Sequence, residues 1–222
     1  MKIEPRDEIL EERLAKYDDW MSEGKIPTSS KVIPVRESLG GLQWVLPTQQ
    51  VLEILRNSRS FAVANCACRT RLKRCDNPLE VCFYTNDVAD QRVAQGSARY
   101  VDLDEASSIL KFANEHGLIH LTIYNPDQHV FAVCSCCKCC CHDIEFLKKY
   151  NRPDLIAHAD YVVDVDKSKC NDCGICTERC VFEAQKMEGS LVRFDVNRCY
   201  GCGLCVSTCP TNALQMKFRK DK

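Results

Sequence analysis

The chain contains KCNDCGICTERCVFEA at residues 169–184 and RCYGCGLCVSTCPTNA at residues 198–213, two copies of one cysteine pattern. Each copy has the spacing Cys-x2-Cys-x2-Cys-x3-Cys. The first three cysteines of a copy come from one tight loop, so their thiolates can converge on a single metal centre. Zinc sites usually take four ligands as two separated pairs, which does not fit this spacing. The eight thiols therefore predict a metal-binding segment of another kind.

Residues 161–222, which contain both copies, resemble the dicluster bacterial ferredoxins, which hold two [4Fe-4S] clusters on this spacing. The resemblance implies a small βαββαβ-like fold in which the fourth cysteine of each copy ligates the other cluster. One cluster would then be held by Cys170, Cys173, Cys176 and Cys209, and the other by Cys199, Cys202, Cys205 and Cys180.

One position breaks the repeat. Pro210 follows the last cysteine of the second copy, whereas Val181 has the equivalent place in the first. Because proline stiffens a turn and lacks a backbone N–H group, we expect its loss to alter the hydrogen bonding near a sulfur atom. The change removes no ligand, so both clusters are retained in the prediction.

The composition limits the class of protein. A chain of 222 residues usually forms one or two domains, and this one has 18 cysteines. The first twenty residues are charged and lack an apolar segment, which predicts no signal peptide. No apolar run approaches the roughly 18 residues of a membrane span. We therefore expect a cytoplasmic protein, in which so many cysteines bind metal rather than form disulfides.

The charge balance gives a further exclusion. The chain has 30 basic and 31 acidic residues. A net charge near zero argues against a dedicated nucleic-acid-binding protein. Redox proteins are the partners that the cysteine pattern favours instead.

Hydrophobic patterning predicts an α+β protein with two domains, residues 1–158 and residues 159–222. Helices are predicted at residues 6–24, 48–58, 104–116 and 142–150, with Thr48 and Asp104 as N-caps. Strands are predicted at residues 61–65, 118–125, 129–137 and 161–166, with a short extended piece at residues 32–35. Residues 83–103 look polar and irregular, with a hairpin around Gly96.

Ten further cysteines lie in the N-terminal part, and a buried apolar role does not explain six of them within eight residues. They are Cys66, Cys68, Cys75 and Cys82, followed by Cys134, Cys136, Cys137, Cys139, Cys140 and Cys141. We favour one or two additional iron–sulfur clusters, with the pairing of the thiols left open. A cluster bridged by extra thiolates is also possible by count. The alternative is one structural zinc, with two ligands from each group.

The geometry of an extended chain bears on this pairing. Neighbouring side chains of an extended segment point to opposite faces. Cys139 and Cys141 are therefore not expected to join Cys140 on one metal. The run predicts two centres, or one centre with free thiols. The cations Arg69, Arg71, Lys73 and Arg74 either lower thiolate pKa values or form a solvated helix face, and the sequence supports both equally.

The whole layout from about residue 45 resembles a group of iron–sulfur proteins from anaerobes. The motifs that carry the resemblance are Cys-x-Cys-Arg at residues 66–69, Glu-x-Cys at residues 80–82, Gly-Leu-Ile-His at residues 117–120 and Cys-x-Cys-Cys-x-Cys-Cys-Cys at residues 134–141. The resemblance implies a shared architecture and an anaerobic setting, but no particular activity.

The histidines are weaker candidates for ligands. His120 and His129 lie on two predicted strands that lead towards the cysteine run, and His142 follows the run directly. For His120 and His129 we favour a packed or surface role over cluster ligation. His142 is expected to begin a helix.

The leading functional hypothesis is a multi-cluster electron-transfer protein. Cubanes accept one electron with little rearrangement, and the chain has no dinucleotide-binding or phosphate-binding fingerprint. An electron carrier or redox subunit is thus favoured over a stand-alone enzyme. The alternatives are a ferredoxin-fed reductase with a reactive N-terminal cluster or dithiol, for example for disulfides, and an iron–sulfur assembly factor.

Overall fold

The computed structural model describes residues 7–33, 47–126 and 130–219, with the side chains of residues 47–49 left out. Within these ranges, no helix has the length and apolar character needed to cross a membrane. His129, residues 34 and 35 of the predicted extended piece, and the predicted cap by the Thr48 side chain lie outside the description.

The chain contains both helices and strands, as the α+β prediction requires. The helices are α1 (Glu8–Ser22), α2 (Pro47–Arg56), α3 (Ala67–Leu72), α4 (Asn86–Ala94), α5 (Leu103–Glu115), α6 (His142–Lys149) and α7 (Ile175–Arg179). The first seven strands are β1 (Ser30–Ile33), β2 (Phe61–Asn65), β3 (Glu80–Thr85), β4 (Ala98–Tyr100), β5 (Ile119–Tyr124), β6 (Val130–Cys136) and β7 (Ile156–Ala157). The last four are β8 (Tyr161–Val165), β9 (Gln185–Glu188), β10 (Leu191–Phe194) and β11 (Leu214–Phe218). The α+β class is confirmed.

A seven-stranded sheet organises the N-terminal part, in the order β4-β2-β3-β6-β5-β1-β7. The pair β1 and β7 is parallel, and β5 and β6 form the predicted antiparallel pair. Side chains alternate between the two faces of a strand. One face carries Phe83 and Val133, which pack against α2 and α5 through Leu55 and Leu110. The opposite face is therefore available for the cysteines of β3 and β6.

The C-terminal part contains two small sheets, β8 paired with β11 and β9 paired with β10. It shares a core with the large sheet, because Phe182, Tyr200 and Leu204 belong to the same buried cluster as Ile119 and Leu121 of β5. Burial of this apolar surface holds the two parts together. The cysteine-rich loop of the second repeat thus sits against the open face of the sheet.

Two local predictions are wrong. Residues 83–103 contain β3, α4 and β4 rather than an irregular segment, and Gly96 lies after α4 instead of in a hairpin. The pattern concealed α4 because only Ala89 of this helix is buried. The N-cap of α5 is Asp102, which accepts a hydrogen bond from the Glu105 N–H group at 2.8 Å, so the helix begins before Asp104.

Candidate metal centres

The outer site is formed by the first three cysteines of the first repeat and the last cysteine of the second. Cys170, Cys173, Cys176 and Cys209 line one cavity. The loop can fold around this cavity because Asp172 and Gly174 both have positive φ, at 53° and 79°. Cys173 is exposed, so this site lies at the surface of the protein.

The inner site has the complementary composition. Cys180, Cys199, Cys202 and Cys205 line a second cavity. Three of these cysteines have only 6–8% of their surface exposed. Both groupings match the crossed sets that the ferredoxin resemblance implies. Cys202 also belongs to the core cluster that is shared with the large sheet.

Hydrogen bonds to sulfur support the fit of these two cavities to an iron–sulfur cluster. The Ala184 N–H group donates to Cys180 Sγ at 3.2 Å, and the Ala213 N–H group donates to Cys209 Sγ at 3.3 Å. Such donors stabilise a thiolate and tune a bound cluster. The two bonds are equivalent in the repeat, although Val181 stands in the first copy where the second has Pro210.

Burial makes the free thiols reluctant to ionise. It raises the pKa of Cys202 to about 12 and the pKa of Cys176 to about 11. A thiolate ligand must be deprotonated, so a bound metal supplies the positive charge that these groups need.

Six of the ten N-terminal cysteines surround one cavity of about 330 Å³, which we call the six-thiol cavity. They are Cys66, Cys68, Cys82, Cys134, Cys136 and Cys141. The fold brings them together from four places. Cys66 and Cys68 lie at the start of α3, Cys82 lies on β3, Cys134 and Cys136 lie on β6, and Cys141 is the N-cap of α6.

Neighbouring thiols of this cavity have pKa values that are shifted in opposite directions. Hydrogen bonds from Cys68 and Cys82 lower the pKa of Cys66 to about 2. Hydrogen bonds from Cys136 and Cys82 likewise lower the pKa of Cys134. The pKa values of the donors Cys68, Cys82 and Cys136 are raised by the same bonds and by burial. Because like charges so close together cannot all ionise, six thiolates require cations within the cavity.

Helix α1 forms one wall of the six-thiol cavity through Leu10, Arg13 and Tyr17. Arg13 Nη1 lies 2.9 Å from His142 Nε2, and His142 Nδ1 lies 3.1 Å from Cys68 Sγ. A guanidinium can only donate, so the His142 ring accepts from Arg13, whose Nη1 atom also lies 3.1 Å from Nδ1. His142 begins α6, as predicted, but nothing in the sequence indicated its contact with Cys68.

The remaining four cysteines form a separate four-thiol group: Cys75, Cys137, Cys139 and Cys140. Their Sγ atoms all lie within 4.8 Å of one another. The expectation that Cys139 cannot join Cys140 is wrong, because residues 138–140 form a turn in which the two Sγ atoms lie 3.9 Å apart. The group also differs from the alternative zinc site, which had two ligands from residues 66–82 and two from residues 134–141. Here one ligand comes from the first of these segments and three come from the second.

Arg69 connects the two groups of thiols. Its side chain is buried, and Nη1 donates to the Ser135 carbonyl oxygen at 2.9 Å. Burial alone would lower the pKa of Arg69, but the thiols of Cys66, Cys137 and Cys82 raise it. For this cation the interpretation as a partner of thiolates is the better one. Arg71 instead pairs with Asp7 at 3.1 Å.

His120 lies apart from the six-thiol cavity. It is fully buried on β5, and its Nδ1 atom lies 3.1 Å from Ser135 Oγ. Burial lowers the pKa of His120 to about 4, so the ring is neutral at pH 7. Its strand neighbours Ile119 and Leu121 face the core cluster that includes Cys136, which places His120 on the opposite face of the sheet.

Comparison with known proteins supports the C-terminal assignment in part. Residues 192–215 match a family described as a 4Fe-4S binding domain. The chain therefore carries an iron–sulfur binding segment, and the match includes Cys199, Cys202, Cys205 and Cys209. The first repeat, residues 169–184, lies outside the match, so a second cluster stays a prediction. No curated protein matches the chain.

Proposed function

We propose that the protein is a multi-cluster carrier that passes single electrons between redox proteins in anaerobic metabolism. Residues 159–222 form its dicluster ferredoxin part, with one [4Fe-4S] cluster in the outer site and one in the inner site. Residues 1–158 hold a further iron–sulfur centre in the six-thiol cavity. When bound, such clusters supply one-electron uptake and release with little rearrangement.

The observation that carries the proposal is the core shared by the inner site and the six-thiol cavity. Cys202 of the inner site and Cys136 and Cys141 of the cavity belong to one buried cluster. The ring of Tyr200 continues this contact, stacked on Phe182 with centroids 4.4 Å apart. These buried residues join the inner site to the six-thiol cavity through one core.

The outer site supports a role in docking. Cys173 is exposed, and the neighbouring Ile175 and Met187 are 40% and 42% exposed. Exposed apolar side chains around a cluster site suit a transient contact with a redox partner. The outer site would therefore exchange electrons with the partner, while the inner site faces the six-thiol cavity.

The test begins with the metal content of the full chain, purified without oxygen. We expect clearly more than about eight irons per chain, because two cubanes account for about eight. Electron paramagnetic resonance of the fully reduced protein should show splitting from neighbouring paramagnetic centres. The variant Cys202→Ala should remove this splitting, and the control Ser207→Ala on the same loop should keep it. About eight irons per chain would refute a centre in the cavity, because the two C-terminal clusters account for them and also split each other's signals.

A second candidate function is supported by the number of thiols. Six cysteines surround the cavity, whereas a cubane uses four. Two spare thiols would suit a reductase that receives electrons from the ferredoxin part, with a substrate such as a disulfide. Alkylation of the folded, metal-loaded protein distinguishes the two functions. Two modified cysteines in the cavity favour the reductase, and none favours the carrier.

A further inference from the structure

We propose that the four-thiol group is a mononuclear zinc site and not an iron–sulfur cluster site. The Sγ atom of Cys75 lies 3.9 Å from that of Cys137 and 3.9 Å from that of Cys140. In a tetrahedral zinc site with zinc–sulfur bonds of about 2.3 Å, neighbouring sulfurs lie about 3.8 Å apart. The Sγ atoms of Cys139 and Cys140 are also 3.9 Å apart, and all four lie within 4.8 Å of one another, which is close to the spacing that a single zinc ion requires.

The spacing of ligand atoms in the other cysteine sites of the same chain provides a comparison for the four-thiol group. Within the described residues, this is the one group of three or more His, Cys, Asp or Glu side chains whose ligand atoms all lie within 4.8 Å of each other. The eight cysteines of the outer and inner sites are among the described residues, and they are spaced more widely. A cubane places each thiolate on a different iron, which separates the sulfurs. The sulfur atoms of the four-thiol group thus lie closer together than those of the cluster sites, as we expect for ligands of a single metal ion.

The surroundings of the group suit a closed structural site with four protein ligands. Cys137 and Cys140 are 3% and 0% exposed. The Asn77 side chain donates to Cys75 Sγ at 3.3 Å, and Arg74 donates to the Cys139 carbonyl oxygen at 3.3 Å. Hydrogen bonds of this kind orient zinc ligands.

The order of the cysteines gives the ion a structural role. Cys75 lies between Cys68 and Cys82 of the six-thiol cavity, and the other three ligands lie between Cys136 and Cys141. An ion on the four-thiol group would tie together the two segments that carry these cavity thiols. This inference does not depend on the proposed electron-transfer function, because it concerns a different set of ligands.

The experiment measures zinc, iron and acid-labile sulfide in the full chain, purified without oxygen. We expect about one zinc per chain. Cys140→Ser should lower zinc at least tenfold, and the matched variant Cys173→Ser should lower iron and leave zinc unchanged. Loss of about four irons with four sulfides in Cys140→Ser would overturn the inference. Loss of a single iron without sulfide would overturn zinc as the ion.

X-ray absorption at the zinc edge covers the case in which Cys140→Ser fails to fold. For the wild-type protein we expect four sulfur neighbours at about 2.3 Å and no metal neighbour. Absence of zinc from the wild-type protein, or zinc surrounded by oxygen and nitrogen, would refute the assignment. An iron content of about eight with one zinc would refute the cavity centre alone, so the two proposals fail separately.

Discussion

The two halves of the C-terminal repeat have one cysteine pattern and two environments. The outer site keeps Cys173 exposed, whereas Cys202, its equivalent in the inner site, is 8% exposed. The residues that follow the fourth cysteine of each copy account for the difference. Val181 and Phe182 pack in the core shared with the large sheet, while their equivalents, Pro210 and Thr211, remain outside it. The repeat determines the ligands, and the residues after the fourth cysteine determine which site faces the protein and which faces solvent.

The largest effect is expected from removal of one ligand in each half. Cys202→Ala should lose about four irons and leave the outer site loaded. Cys173→Ala should lose a similar amount of iron, but it should destabilise the fold less because its site is exposed. Iron analysis and anaerobic urea unfolding measure both effects. Full retention of iron in Cys202→Ala would contradict the ligand assignment.

The next effect concerns the glycine that allows the loop of the inner site to approach strand β8. A Cβ atom on Gly201 would lie 2.1 Å from the Tyr161 carbonyl oxygen, and its φ is +78°. We expect Gly201→Ala to cost about 4 kcal/mol or more, because backbone must shift. Gly189 has φ +60° with open space around it, so Gly189→Ala should cost about 1 kcal/mol. Equal costs in anaerobic unfolding would remove the argument for close packing.

A smaller effect is expected at the repeat position where one copy has a large side chain and the other a small one. Phe182 is 3% exposed and stacks on Tyr200. Its truncation in Phe182→Ala should cost about 3 kcal/mol through the cavity that is left. The repeat-equivalent change Thr211→Ala should cost less than about 1 kcal/mol. Thermal unfolding of the two variants, both loaded with metal, gives the comparison directly.

The smallest effect is a change in reduction potential. Gln185 Nε2 donates to Cys205 Sγ at 3.2 Å, and the equivalent residue of the other half is Leu214. Gln185→Leu makes the halves alike and removes a donor that stabilises the more negative, reduced state. The inner-site potential should fall by roughly 50 mV, equivalent to about 1 kcal/mol for one electron. A redox titration followed by electron paramagnetic resonance measures it, with exposed Gln215→Leu as the control.

For the C-terminal sites, most of the prediction rests on cysteines that are close in sequence. Each loop brings three cysteines together within seven residues, so spacing alone fixes the geometry. The grouping of Cys180 with Cys199 and of Cys209 with Cys170 required the ferredoxin resemblance, and the two cavities agree with it.

The N-terminal grouping was not predictable in the same way. Cys82 meets Cys134 because β3 pairs with β6 across a long sequence separation, and no periodicity reveals which strands pair. The alternation rule correctly separates Cys140 from Cys141, but it fails for Cys139, where the strand has ended in a turn. Amphipathic elements such as α5 were predictable, whereas α4 buries too little apolar surface to show a pattern.

The interleaving of the two thiol groups also fixes the length of the run at residues 134–141. Cys136 faces the six-thiol cavity, the next residue turns to the four-thiol group, and Cys141 returns to the cavity. We expect one inserted or deleted residue to move the later thiols away from their groups, whereas a substitution of the exposed Lys138 should leave both groups in place. In related chains, we therefore expect the identity of the residues between these cysteines to vary but the number of such residues to stay the same. This segment should be free of insertions wherever both thiol groups are kept.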